Sequence, residues 1–178
     1  PPFCVLRAAR GVHFERADAG AGVEEAGAEV CVIKMGIHVY VGPMWAGKSS
    51  SVQRELRRAA AAGLSTLLIR PSLDTRSEEA ATHDGVVMAS TVLEDLYSTA
   101  PARGFEAVGI DESQFFGAEL VDFCDALAAE GVRVIVGGLD GDSDQTTFGH
   151  IHRLLPKAET FVKLSAVCVR CGADAPFT

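Results

Sequence analysis

No stretch of this sequence stays apolar for the ~20 residues that a helix needs to cross a bilayer, and no segment has the flanks of a signal peptide. A membrane partner is therefore not expected. Positive charge is scarce as well: 16 Lys and Arg stand against 24 Asp and Glu, for a net charge of −8. That balance argues against coating a polyanion, so no nucleic-acid partner is expected either. The cysteines do not make an even set. There are five, and two of them form Cys168-Val169-Arg170-Cys171, the spacing of a metal or redox pair rather than of a secreted disulfide scaffold. A reducing compartment, the cytoplasm, is the expectation. Internal repeats are missing too.

What is present has the make-up of an ordinary globular domain. Hydrophobic residues are 48% and charged residues 22% of 178, enough chain for one domain that buries ~70% of its unfolded surface. Residues 1–34 are rich in Ala, Gly and Glu without a sustained period, and they read as a disordered or non-native extension. The chain begins at Pro1, its first methionine is Met35, and it stops at Thr178 soon after the Cys pair. Both ends read as incomplete.

From Gly36 a new rhythm starts. Ile37–Val41 predicts a strand, and Gly42-Pro43-Met44-Trp45-Ala46-Gly47-Lys48-Ser49 follows it directly. This is G-x-x-x-x-G-K-[ST] between a strand and a helix, the phosphate loop of nucleoside triphosphate-binding proteins. Glycines let successive N–H groups face the phosphates, and the helix brings its positive dipole end. Lys48 adds a charge near the β- and γ-phosphates, and the Ser49 hydroxyl suits Mg²⁺.

Further along, Ser49–Ala62 predicts a helix with Val52, Leu56 and Ala59 on one side, stopped at Gly63. Leu64–Ile69, Phe105–Ile110 and Val132–Val136 are apolar runs of the kind found in strands buried on both faces. Arg70–Met88 reads as an active-site loop, Thr91–Ser98 as a short helix with Leu93, Leu96 and Tyr97 inward, and Ala118–Glu130 as a helix stopped by Gly131. Gly137–Ser143 reads as a Gly- and Asp-rich turn, and Phe161–Val167 as a last strand. The alternation implies an α/β fold: a mostly parallel sheet with helices on both faces. Ligands of such sheets sit at the carboxyl ends of the strands, where Asp111-Glu112 and Asp140 also fall. An Asp there beside a phosphate loop suits Mg²⁺, and the neighbouring Glu suits polarising a water or an alcohol.

The phosphate loop, Leu73-Asp74-Thr75-Arg76, Thr82-His83-Asp84 and Gly109-Ile110-Asp111-Glu112-Ser113-Gln114-Phe115-Phe116 occur in that order. Gly138-Leu139-Asp140-Gly141 and Val162-Lys163-Leu164-Ser165-Ala166-Val167-Cys168-x-x-Cys171 follow. Together they resemble the cellular-type (type II) thymidine kinase family, over about residues 36–178. The resemblance implies transfer of the ATP γ-phosphate to the 5′-hydroxyl of thymidine on a RecA-like core at 35–164. It also implies the start of a small zinc-bearing lasso domain at 165–178, and a homotetramer. By position, Glu112 is the implied general base, Arg76 lies near the transferring phosphoryl group, and Lys48 is the third catalytic residue. Implied ATP contacts are Gly42, Pro43, Met44, Trp45, Ala46, Gly47, Lys48, Ser49 and Ser50, with Asp111, Glu112, Ser113 and Gln114 across the cleft. Ser49 and Asp111 hold Mg²⁺; Met44, Phe115, Leu139 and Phe148 line the thymidine pocket; Cys168 and Cys171 are half of a zinc site. The family's second Cys pair lies further downstream, with Cys4, Cys31, Cys124, His150 and His152 as paper alternatives here. Ser143 stands where the family has an aromatic residue, and Gln145 where it has a basic one.

Two other readings remain open at this stage. One is a RecA-like ATPase in which Glu112 orients water. The other is a non-catalytic ATP-binding protein.

Overall fold

In a parallel sheet buried on both faces, odd and even residues of each strand need separate apolar partners. This chain supplies both sets. The computed structural model describes residues 36–73 and 89–177. Strands β1 (Gly36–Val41), β2 (Thr66–Pro71), β3 (Ala89–Leu93), β4 (Ala107–Ile110), β5 (Arg133–Gly138) and β6 (Ala158–Lys163) form one sheet. Their order is β3-β2-β4-β5-β1-β6, and every pairing in it is parallel. On one face Val52, Leu56 and Ala59 of helix α1 (Lys48–Ala61) pack with Tyr40, Leu68, Ala107 and Ile135. On the other, Leu120, Phe123, Cys124 and Leu127 of helix α2 (Glu119–Ala129) pack with Val39, Val41, Ile69, Val108, Ile110, Val134 and Val136.

Both helices are good helix formers along one apolar stripe and then meet a glycine. At the end of α1, Gly63 takes φ 86° while Leu64 N–H donates back to Ala59 C=O at 3.1 Å. At the end of α2, Gly131 takes φ 79° and Val132 N–H reaches Leu127 C=O at 3.0 Å. The same left-handed stop thus releases the chain into β2 and into β5. Glu119 and Asp122 in the first turn of α2 complement its dipole. The start of α1 carries no acid and no side-chain cap. Glu55, buried on α1, is held by Arg133 Nη2 at 3.1 Å, which fixes the helix against the start of β5.

Three expectations need correction. Thr91–Ser98 is not a helix. Ala89–Leu93 is an edge strand, pairing Leu67↔Ala89 through Pro71↔Leu93, because β-branched Thr91 and Val92 suit an open edge. Leu96 is buried as expected, but Tyr97 is 80% exposed. Phe161–Val167 is not one strand. The run divides at Leu164, whose N–H donates to Val41 C=O at 2.7 Å, and β7 (Ala166–Val167) then pairs antiparallel with β8 (Asp174–Ala175) in a separate ribbon. Arg70 and Pro71 belong to β2 rather than to a loop. The rest of that expected loop, 74–88, lies outside the described residues, and so do residues 1–35.

Candidate active site

The phosphate loop begins where β1 ends. Ala46 N–H donates to Pro43 C=O at 3.4 Å, closing a turn in which Trp45 takes φ 67°. Gly47 follows at φ 84°, a conformation that a side chain strains. The first bond of the α1 ladder runs from Ser51 N–H to Gly47 C=O at 2.9 Å. The N–H groups of Ser49 and Ser50 therefore precede that ladder at an uncapped, acid-free helix start. Lys48 is buried, and its Nζ donates to Pro43 C=O at 2.7 Å, which holds the ammonium within the loop. Backbone donors, a dipole end and an ammonium at one spot are the chemistry that suits an anion.

Across from it, Asp111 and Glu112 follow directly on β4, both buried. β5 lies between β1 and β4, so only a small residue at its end leaves the two loops a common space. Gly137 is that residue. A Cβ there would lie 2.6 Å from Val52 Cγ2, 3.4 Å from Asp111 Oδ1 and 3.8 Å from the Lys48 carbonyl oxygen. Asp111 Oδ1 accepts from Glu112 N–H at 3.0 Å. Glu112 adopts φ 49°, ψ 40°, a left-handed conformation that costs a non-glycine residue about 1–3 kcal/mol and persists where surroundings enforce it. Gln114 Nε2 donates to Glu112 Oε2 at 2.6 Å. The Ser113 hydroxyl is buried without a hydrogen-bond partner.

The apolar residues expected to line a pocket are brought together in part. Phe115 and Phe148 meet edge to face, with ring centroids 6.1 Å apart at 79°, a favoured aromatic geometry. Leu139 is half-buried, its N–H held at 3.0 Å by Oε1 of Gln114, the residue next in sequence to Phe115. Met44 is 50% exposed on the phosphate loop. Arg76 lies outside the described residues. Beyond Leu139, Asp140 pairs with Lys163 Nζ at 2.8 Å, tying the end of β5 to the end of β6 around the phosphate loop. Asp142 then builds a hairpin turn, accepting from Asp144 N–H and Thr146 N–H at 2.9 Å each and from Thr146 Oγ1 at 2.6 Å. The Thr146 hydroxyl and amide hold its carboxyl below the usual aspartate range. Ser143 and Gln145 are exposed at the tip of this turn.

Cys168 and Cys171 sit in the turn between β7 and β8. Gly172 N–H donates to Cys168 C=O and Cys168 N–H to Ala173 C=O, both at 2.8 Å. Backbone N–H groups of Arg170 and Cys171 hold the Cys168 thiol below its ordinary pKa, which favours the thiolate that a soft metal takes. Two thiols on one tight turn fit half of a tetrahedral zinc site. Among the described residues no cluster of three or more His, Cys, Asp or Glu surrounds a metal position. Cys124 is buried in α2, and burial pushes its thiol up.

Sequence reasoning missed the role of Gly137 and the bridge through Gln114. Two glycines closing an apolar strand signal a close backbone approach, so the first was detectable. The second joins residues 25 apart in sequence, and no local pattern marks it.

A family model described as thymidine kinase matches residues 35–178. The chain is 42% identical over 146 residues to human "Thymidine kinase, cytosolic", covering 80% of this chain and 61% of that protein. It is 41% identical over 147 residues to the chicken protein of the same name, covering 80% and 64%. To "Thymidine kinase" of Deinococcus radiodurans it is 39% identical over 157 residues, covering 80% and 74%. The chain thus spans about three fifths of the length of the vertebrate relatives it matches.

Proposed function

Because the chain belongs to the thymidine kinase family, we propose that it transfers the γ-phosphate of ATP to the 5′-hydroxyl of thymidine, with Glu112 as the general base. The observation that carries this reading is the buried Glu112, held in a left-handed conformation just after β4, next to Asp111, whose Oδ1 borders the position of Gly137 beside the phosphate loop. A carboxylate fixed there takes the proton of the sugar hydroxyl as its oxygen bonds to the γ-phosphorus. The bond from that phosphorus to the bridging oxygen breaks, and ADP and dTMP leave. Gly42 to Ser50 cradle the triphosphate, and Lys48 offsets charge on the β- and γ-phosphates. Arg76 is assigned the same task at the transferring group.

Ser49 and Asp111 would hold Mg²⁺, a hard cation that suits their hydroxyl and carboxylate oxygens. When bound, it neutralises charge on the β- and γ-phosphate oxygens. Met44, Phe115, Leu139 and Phe148 form the apolar walls for the thymine base, whose flat ring and methyl suit them. Cys168 and Cys171 bind zinc with two further ligands from outside the described residues, so 165–178 opens a small zinc-bearing domain. Residues 1–34 lie outside the part of the chain that the family model matches. The family resemblance adds a homotetramer, and the vertebrate relatives, named as cytosolic thymidine kinases, support a cytosolic location. No helix among the described residues is long and apolar enough to cross a membrane.

With γ-labelled ATP and thymidine, label is expected on dTMP, and ADP release is expected only when thymidine is present. Release of ADP at the same rate without thymidine would instead establish an ATPase and overturn this reading.

A further inference from the structure

Glu112 is held by a residue whose own position is fixed at both ends. Gln114 is 4% exposed. Its Nε2 donates to Glu112 Oε2 at 2.6 Å, and its Oε1 accepts from Leu139 N–H at 3.0 Å. A carboxylate only accepts and a backbone N–H only donates, so a single orientation of the carboxamide satisfies both partners. The space around it is kept by missing side chains. A Cβ on Gly138 would come within 3.0 Å of Gln114 Oε1, and one on Gly149 within 2.7 Å of the Gln114 carbonyl oxygen. One amide therefore spans from Glu112, two residues after β4, to Leu139, the residue after β5.

We propose that Gln114 is the positioning residue of the base: its carboxamide fixes the plane of the Glu112 carboxylate and couples it to the pocket wall at Leu139. This inference rests on the thymidine kinase reading above. Glu112 projects from a strained backbone on a stem of single bonds, and a hydrogen bond to a charged oxygen is among the stronger constraints on such a side chain. Proton abstraction depends steeply on where the accepting oxygen sits. The bond to Leu139 N–H means that the wall of the expected thymidine pocket and the base share one anchor.

Two substitutions in the full chain test this. Gln114→Met keeps the length of the side chain and removes both polar atoms. Gln114→Glu keeps the acceptor for Leu139 N–H and replaces the donor to Glu112 by a second carboxylate oxygen that repels it, so it carries the test even if the methionine variant does not fold. Each is expected to lower kcat on thymidine about ten- to a hundredfold, with KM for ATP close to wild type. In a Glu112→Gln background the same changes should alter the residual kcat by less than about twofold, because the group they position is gone. A residue with only a structural role would lower kcat by the same factor in both backgrounds, and that result overturns the proposal. So does Gln114→Glu with wild-type kcat, or a raised KM for ATP with kcat unchanged. A wild-type chain that leaves thymidine unphosphorylated overturns the kinase reading instead.

Discussion

Val52 and Gly137 are in contact across the interface of α1 with the sheet, so close that a Cβ on Gly137 would fall 2.6 Å from Val52 Cγ2. The same added carbon would sit 3.4 Å from Asp111 Oδ1. The absent side chain lets the phosphate-loop helix lie against β5 while Asp111 reaches into the same space. Gly137→Ala is therefore expected to cost about 1–3 kcal/mol by overpacking, and also to weaken ATP binding. Thermal denaturation and nucleotide titration check both. A variant with wild-type stability and affinity would show that the helix has slack at this point.

Lys48 places its ammonium within the loop through Pro43 C=O at 2.7 Å. Lys48→Met keeps most of the stem and removes the charge. A charged hydrogen bond is worth about 1.5–3 kcal/mol, so ATP affinity should fall about ten- to a hundredfold. Calorimetric titration reads this, and undiminished affinity would remove Lys48 from the phosphate site.

Glu112→Gln preserves shape and still offers an oxygen to Gln114 Nε2. Without a base, transfer to thymidine is expected to drop about 10²- to 10⁴-fold, while ATP affinity changes little. Steady-state kinetics and ATP titration separate the two. Retained turnover would mean that another group takes the proton.

Cys168 and Cys124 should differ sharply toward alkylating reagents. Backbone N–H groups lower the pKa of the Cys168 thiol and burial raises that of Cys124, and the thiolate is the reactive form. As pH rises from 6, Cys168 is expected to label first, with a midpoint below that of an ordinary thiol. Cys124 should label only on unfolding. Peptide mass spectrometry after brief iodoacetamide treatment measures this; earlier labelling of Cys124 would contradict the structure.

Asp142 titrates in the opposite sense from a buried acid. Its folded pKa is depressed by the Thr146 hydroxyl and amide, so its contribution to the turn is fully present above the unfolded value, about 3.9. That contribution is lost as pH falls through the lowered folded value. Amide shifts of Asp144 and Thr146 should therefore move with a midpoint below that of an ordinary aspartate. Asp142→Ala should abolish the transition and loosen the turn. A midpoint at or above the ordinary value would mean that these bonds do not form in solution.

Local chemistry explains which parts could be read in advance. Val39 to Ser49 announces a strand, a glycine-bracketed loop and a helix start, because each step depends on neighbours within one turn of chain. Gly63 and Gly131 mark helix ends for the same reason. Thr91–Ser98 misled because Leu93 and Leu96 fit a helical spacing. That Thr91–Leu93 joins an edge strand depends on the hydrogen-bonding groups that β2 offers, which no residue in 91–98 reveals. The break at Leu164 likewise depends on Val41 C=O, more than a hundred residues earlier in the chain.

The sequence by itself determined that a triphosphate loop, an acid-tipped strand and a thiol pair exist, since glycine torsions, helix dipoles and side-chain chemistry act over a few residues. Only the tertiary structure decided that β5 would lie between β1 and β4 with a glycine at its end. It alone gave Glu112 and Leu139 a common amide. The reason is physical. Closing contacts between distant segments costs chain entropy that the whole sheet repays at once, so the arrangement is a property of the packed ensemble of strands and not of any one of them.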